Sequence, residues 1–310
     1  MKETKIAVIG GDRRSLAAAA VFKQRCGAAS VWGFDRCEGA SAGGAVLCSS
    51  LCASLADADA VMLGLPASTD GVRVNCPLSS RELKLSELFA LLSPDTPVFG
   101  GHVTDEVYDA ASEHGIKIYD YYDREELCVL NALPTAEGAA AIAINELPTT
   151  LHSSNVLVLG YGRTAKVLCR MLKALGALVT ACARKPSDHA WMKTEGICAA
   201  DICTLECPDA RPAEGTANAA QKLMECDILF NTVPVRLLTR TALSLLKPGT
   251  PVIDLASKPG GVDFDAAREI GTNVIWALSL PGKTAPVTAG RVTADTVLTM
   301  LGELETENNT

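Results

Sequence analysis

Short apolar runs alternate along the chain with stretches of helical period. Residues 6–9, 31–34, 60–65, 98–100 and 116–119 read as strands, with helices expected over 13–26 and near 105–114. Brief apolar runs bounded by turn residues and separated by helical patterns specify buried parallel strands joined by crossover helices. A second series begins at Asn155. Its strands read as 156–159, 178–182, 227–230, 251–255 and 273–276, with a helix over 163–175. The expected fold class is therefore α/β, with two Rossmann-like doubly wound domains and an interdomain cleft.

Residues 134–144 form an alanine-rich helix that Thr135 is placed to cap. It marks the junction between a first domain, 1–130, and a dinucleotide-binding second domain, 131–286. A last helix, 287–305, is expected to rejoin the first domain. Residues 207–219, rich in Pro, Ala, Gly and Glu, read as a surface loop, and the polar tail 305–310 as frayed.

Composition narrows the function classes. In 310 residues the formal charge is −8, which brings no counterion-release affinity for a polyphosphate, so no nucleic-acid partner is expected. The 12 cysteines are scattered, without a CxxC pair, and Cys48 with Cys52 has no matching second pair or histidine cluster. They read as small buried hydrophobes of a reducing compartment, and no metal is expected. Residues 1–5 lead straight into a strand, and no apolar run is seen to approach the ~20 residues of a membrane span. A cytoplasmic protein without a membrane partner is the expectation.

The central chemical signal is Gly160, Tyr161, Gly162 between a strand and a helix, with Ala165 in the third small position. Gly160 permits the tight turn, and Gly162 lets a pyrophosphate approach the backbone. Arg163 and Thr164 open the helix, whose free N–H groups and dipole favour an anion. An NAD site places an acid about 20 residues after the turn. Here no acidic residue occurs between Gly160 and Asp188, and Arg184 and Lys185 stand in that place. A guanidinium pairs with a 2′-phosphate, which favours NADP over NAD; a solvated basic pair is the alternative.

In doubly wound sheets the ligand lies beyond the carboxyl ends of the strands. Three polar turns fall there: Asn231, Thr232 and Pro234; Asp254 to Gly261, containing Ser257 and Lys258; and the stretch from Leu280 to Pro286 with Pro281, Gly282 and Lys283. Each alone is ordinary loop punctuation; together with the cofactor turn they outline a redox cleft. Arg13 and Arg14 follow the first strand's glycines, where they either grip carboxylates or face solvent. No Ser/His/Asp arrangement occurs, and of the four histidines only His102, after Gly100 and Gly101, sits at a strand end.

These motifs resemble the family of dipicolinate synthase A subunits of spore-forming bacteria. The resemblance rests on Gly10, Gly11, Asp12 and Arg14; Asn131, Pro134, Thr135, Glu137 and Gly138; Gly160 to Arg163; and Ala183 with Arg184. It continues through Asn231, Thr232 and Pro234; Asp254 to Ser257 with Pro259, Gly260, Gly261, Asp263 and Phe264; Leu280 to Gly282; and Ala285, Pro286, Thr288, Ala289 and Gly290. Lys283 and His102 fall outside that pattern.

The resemblance implies NAD(P)-dependent oxidation of dihydrodipicolinate to dipicolinate during sporulation, together with a flavoprotein-like B subunit. It also implies a two-domain shape like the alanine and 2-hydroxyacid dehydrogenases. With it, Asn231, Ser257 and Lys258 become the catalytic candidates. Arg14, Thr135, Pro281 and Gly282 become those for the small dicarboxylate substrate. Gly160, Tyr161, Gly162, Arg163, Thr164, Arg184, Lys185, Thr232 and Pro234 are the cofactor candidates, and a homo-oligomer is expected. Two alternatives stay open: another amino- or hydroxy-acid dehydrogenase, and a non-catalytic nucleotide-binding protein that activates a partner.

Overall fold

Parallel strands need crossovers, and the helical segments between the apolar runs supply them. The computed structural model describes residues 4–37 and 43–307. It divides into two compact units, one formed by the chain up to Asn131 together with Ala285 onward, the other by Ala132–Thr284.

The first unit runs β1 (Thr4–Ile9), α1 (Arg13–Cys26), β2 (Gly27–Trp32), β3 (Val46–Leu47), α2 (Leu51–Leu55), β4 (Ala60–Leu63), α3 (Leu85–Phe89), β5 (Val98–Gly100), α4 (Asp105–Glu113) and β6 (Ile118–Asp120). Its parallel sheet has the order β3-β2-β1-β4-β5-β6, the doubly wound arrangement with its switch point between β1 and β4. Along β1 the side chains alternate between two cores. Ile6 and Val8 join Leu16 and Phe22 on one face, and Ala7 and Ile9 join Leu88 and Phe89 on the other.

Helix α5 (Glu125–Glu146) joins the units in sequence. It begins nine residues before Pro134, so Thr135 lies within the helix rather than at its start. Proline lacks the N–H that would bond the carbonyl of Leu130, but Leu130 is exposed and water can serve that oxygen. By length and composition α5 is apolar enough to cross a bilayer, contrary to the expectation that no run is. In the structure 44% of its most apolar window is buried, including Ala136, Ala139 and Ala143.

The second unit runs β7 (Asn155–Leu159), α6 (Arg163–Ala174), β8 (Leu178–Ala183), α7 (Pro186–Thr194), β9 (Cys198–Asp201), β10 (Ala217–Asn218), α8 (Ala219–Glu225), β11 (Ile228–Asn231), α9 (Arg240–Leu243), β12 (Val252–Asp254), α10 (Phe264–Ile270), β13 (Val274–Trp276) and α11 (Leu280–Thr284). The sheet order is β10-β9-β8-β7-β11-β12-β13, with the switch point between β7 and β11. The segment from Leu280, expected as a polar turn, is helical. It packs closely on α5, where a Cβ on Gly138 would meet Thr284 Oγ1 at 2.6 Å and Leu280 Cβ at 3.2 Å.

Helix α12 (Pro286–Glu307) belongs to the first unit and packs on α1. Gly290 sits so close that a Cβ there would lie 2.3 Å from the Arg14 carbonyl oxygen. The ion pairs Arg25–Asp295 at 2.6 Å and Arg124–Glu303 at 2.8 Å fix its outer side. The helix extends to Glu307, so the expected fraying of 305–310 does not hold for Glu305–Glu307; the rest of that tail lies outside the described residues.

Candidate functional site

Both units place a glycine turn at their switch point, but only one leaves donors for a ligand. In the first unit Gly10 and Gly11 adopt positive φ, and the turn is filled by the protein itself. Gly11 N–H donates to the Asn75 carbonyl at 2.7 Å. A Cβ on Gly10 would strike Cys76 Sγ at 2.4 Å and the Asn75 carbonyl oxygen at 2.8 Å. The Asp12 carboxylate caps α1 by accepting from Arg14 N–H. A helix start already holding a carboxylate repels a phosphate.

In the second unit Gly160 turns at φ +95°, and Gly162 precedes α6 without any side-chain cap and with no acid in the first turn. The first N–H of α6 bonded within the helix is that of Lys166, to the Gly162 carbonyl. The N–H groups of Thr164 and Ala165 therefore lie at a helix start that no side chain caps. A Cβ on Gly162 would meet nothing within 4 Å, whereas one on Gly160 would meet Thr232 Oγ1 at 2.4 Å. Packing thus demands glycine at 160. At 162 the protein's own packing does not, since the space there is open.

The side chains of this turn divide into inner and outer groups. Tyr161 points inward, against the expectation that it lines the cofactor. It is buried among Ala165 and Leu168, and its hydroxyl donates to Glu195 Oε2 at 3.0 Å. Only its backbone is left for a ligand. Burial first, then the hydrogen bond to Glu195, push its hydroxyl above the usual phenol range. Arg170, 2.7 Å from Glu195, holds that carboxyl below the usual range. Arg163 is exposed and Thr164 half-buried.

Arg184 and Lys185 follow β8, beside the turn, because Gly160 N–H donates to the Cys182 carbonyl at 2.9 Å. Both are exposed and make no ion pair among the described residues. Below them His189 Nε2 meets the Ala183 carbonyl oxygen at 2.9 Å, which anchors the start of α7. The uncapped turn is of the kind that receives a nicotinamide dinucleotide.

Beyond β11 and β12 the structure reassigns several candidates. Asn231 is fully buried, and its amide N–H group donates to Asp254 Oδ1 at 2.8 Å and the Val233 carbonyl at 3.0 Å. Its Oδ1 accepts from Val233 N–H at 3.2 Å. With its amide so engaged, Asn231 serves to hold the loops after β11 and β12 together. Thr232 Oγ1 donates to the Leu159 carbonyl at 2.8 Å, and it shapes the turn rather than offering its hydroxyl. Ser257 and Lys258 are exposed on the loop after β12, and Pro234 is exposed after β11. Pro281 is buried and Gly282 half-buried in α11, and neither carries a polar side chain.

In the first unit Arg14 is nearly buried, held by Asp12 and by the Leu65 carbonyl at 2.7 Å, so it is not a ready grip for a carboxylate. Arg13 is exposed beside it. His102 is an exposed loop residue at φ +51° whose N–H donates to Asp120 Oδ1. Reasoning from sequence missed the work of Asp254, fully buried beneath the Ser257 loop. Its signal was an acid ending an apolar strand and followed by paired glycines.

Known proteins share this arrangement at two levels. Residues 5–122 match the family described as the N-terminal domain of the dipicolinate synthase A subunit. An L-alanine dehydrogenase shares the fold, with a TM-score of 0.64 at 13% identity over 98% of this chain and 90% of that one. The crystal structure of the dipicolinate synthase A subunit from Bacillus halodurans reaches a TM-score of 0.83 at 28% identity, covering 97% of this chain and 98% of that one. The dipicolinate synthase A subunit of Bacillus subtilis (strain 168) is 31% identical over 304 residues, 98% of this chain and 97% of its own length. Identity sustained over nearly the whole of both chains places this one: it belongs to the family of dipicolinate synthase A subunits.

Proposed function

We propose that this chain binds NADP at the start of α6 and, with a flavoprotein-like second subunit, oxidises dihydrodipicolinate to dipicolinate. The observation that carries the proposal is the open, uncapped start of α6 behind Gly162, next to the exposed Arg184 and Lys185. The first-turn N–H groups of α6 hold the diphosphate, and the helix dipole favours its charge. Arg184 and Lys185 pair with the 2′-phosphate that distinguishes NADP from NAD.

Bound nicotinamide supplies the hydride acceptor. Oxidation removes a hydride from one ring carbon and a proton from its neighbour, and the ring becomes aromatic. Because aromatisation drives the step, the protein's share is mainly alignment and charge neutralisation. On the loop after β12, Lys258 is suited to neutralise a substrate carboxylate and Ser257 to donate to it. On this reading the protein acts in the cytoplasm during sporulation.

The test is the absorbance of dipicolinate formed by the purified chain, with NADP or NAD, with and without the second subunit. Product formation that requires the chain and prefers NADP is expected. Binding of neither cofactor would overturn the reading.

A further inference from the structure

The loop carrying Ser257 and Lys258 has little packing of its own, yet its ends are held firmly. Asp254, the last residue of β12, is fully buried. Its Oδ1 accepts from Asn231 Nδ2 at 2.8 Å and from Ala256 N–H at 3.0 Å. Its Oδ2 accepts from Gly261 N–H at 2.9 Å. One carboxylate therefore binds the two ends of the 256–261 loop and, through Asn231, the loop after β11. The approach at Gly261 is tight, since a Cβ there would lie 2.1 Å from Asn231 Nδ2 and 2.6 Å from the Val233 carbonyl oxygen.

The same β11 loop touches the cofactor turn. Thr232 N–H donates to the Leu159 carbonyl at 3.0 Å, and a Cβ on Gly160 would meet Val233 Cγ2 at 2.9 Å. An unbroken series of contacts runs from Gly160 through Thr232, Val233 and Asn231 to Asp254 and Gly261. A buried carboxylate needs its full set of donors, because a missing one leaves charge unsolvated. Hydrophobic packing would hold these loops without that demand, but it would not fix their register.

We propose that Asp254, through Asn231, is a positioning residue that sets Ser257 and Lys258 at a fixed offset from the cofactor turn. The proposal rests on the dinucleotide and dicarboxylate reading above. Neither Asp254 nor Asn231 is exposed to touch substrate; they act through the loop. In the proposed reaction the loop aligns the ring, and misalignment of about an ångström costs on the order of a hundredfold in rate.

The test compares the wild-type chain with Asp254→Asn and Asn231→Ala, each assayed with the second subunit present. Asp254→Asn keeps the shape but turns one acceptor into a donor facing Ala256 or Gly261 N–H. Asn231→Ala removes the link to the β11 loop and leaves Asp254 its backbone donors, so it remains informative should the first variant fail to fold. The expected result is a fall in kcat of roughly tenfold or more, with cofactor Kd within about twofold of wild type. Amide exchange should accelerate at Ala256 and Gly261 and stay unchanged in β7 and β8. A purely structural role would instead weaken cofactor binding and sheet protection together. Folded variants with wild-type kcat, or parallel losses of Kd and sheet protection, overturn the positioning role alone. A wild-type chain that binds neither cofactor overturns the underlying functional reading, and the positioning role with it.

Discussion

Arg14 and Asp12 form a closed pair: Nε donates to Oδ1 at 3.0 Å and Nη2 to Oδ2 at 2.9 Å, while the Arg14 N–H also donates to Oδ1 at 2.9 Å. One carboxylate thus caps α1 and neutralises the guanidinium that follows it. Arg14 also reaches the Leu65 carbonyl, so it ties the β1 turn to the end of β4.

Arg14→Ala is therefore expected to act on stability. Removing one partner of a buried pair costs ~3–5 kcal/mol, and the partial exposure of Asp12 puts this case at the lower end. A fall in Tm on the order of 10 °C follows for a unit of this size. NADP affinity, measured by calorimetry, should be unchanged at temperatures where the variant is folded. A variant with wild-type Tm and a raised KM would restore Arg14 to substrate binding.

The two glycines of the cofactor turn should separate cleanly. At Gly162 a side chain meets open space, so Gly162→Val should fold with wild-type circular dichroism. It should also lose dinucleotide affinity by roughly a hundredfold, about 2.8 kcal/mol, because the branch occupies the phosphate position. At Gly160 the backbone has φ +95° and a Cβ would strike Thr232 Oγ1. Gly160→Ala should destabilise the second unit itself. Equal folding and equal binding in both variants would contradict this division.

The strand–turn–helix signature was legible because glycine spacing and apolar runs are local properties. That is why β7, α6 and β8 sit within a residue of their expected limits. Pro134 misled for a physical reason. Proline is a good first-turn residue, so it imitates a helix start, and only the exposure of Leu130 reveals why it is tolerated mid-helix. Asn231 and Arg14 were recognised as important positions, and the structure engages both within the protein, Asn231 with Asp254 and Arg14 with Asp12. Whether a polar side chain at a strand end faces a ligand or a neighbouring loop depends on its partner across the sheet, here Asp254, 23 residues away. The short elements β3, β10 and α9 carry too few residues to show a period.

Cofactor choice should turn on Arg184. It is exposed at the end of β8, with no carboxylate paired to it among the described residues. A hydrogen bond to a charged group contributes ~1.5–3 kcal/mol, so Arg184→Ala should weaken NADP roughly tenfold or more. NAD, which lacks the 2′-phosphate, should bind almost as before. Calorimetric titration of both cofactors against both proteins decides it; an equal loss for NAD and NADP would reduce Arg184 to a general phosphate contact.

Alkaline pH should destabilise the second unit through its buried thiols. Burial pushes the Cys169 and Cys226 thiols up to about 12, and burial raises Cys182 as well. Tyr161 is shifted the same way, by burial and then by Glu195. The unfolded chain releases these thiol protons near the ordinary thiol value of 9.0, while the folded chain keeps them. The unfolded state therefore binds fewer protons above that pH, and stability falls as pH rises towards the folded values. Each thiol contributes a loss of about 1.4 kcal/mol per pH unit within that window, and none below it. Urea denaturation at about pH 8 and about pH 10 should show the fall, and Cys169→Ala should reduce its slope relative to wild type. Alkylation under native conditions near pH 8 should modify the exposed Cys52, Cys198, Cys203 and Cys207 and spare Cys169, Cys182 and Cys226 until the protein unfolds. A stability that stays flat between those two pH values would show that the buried thiols do not remain protonated in the folded state.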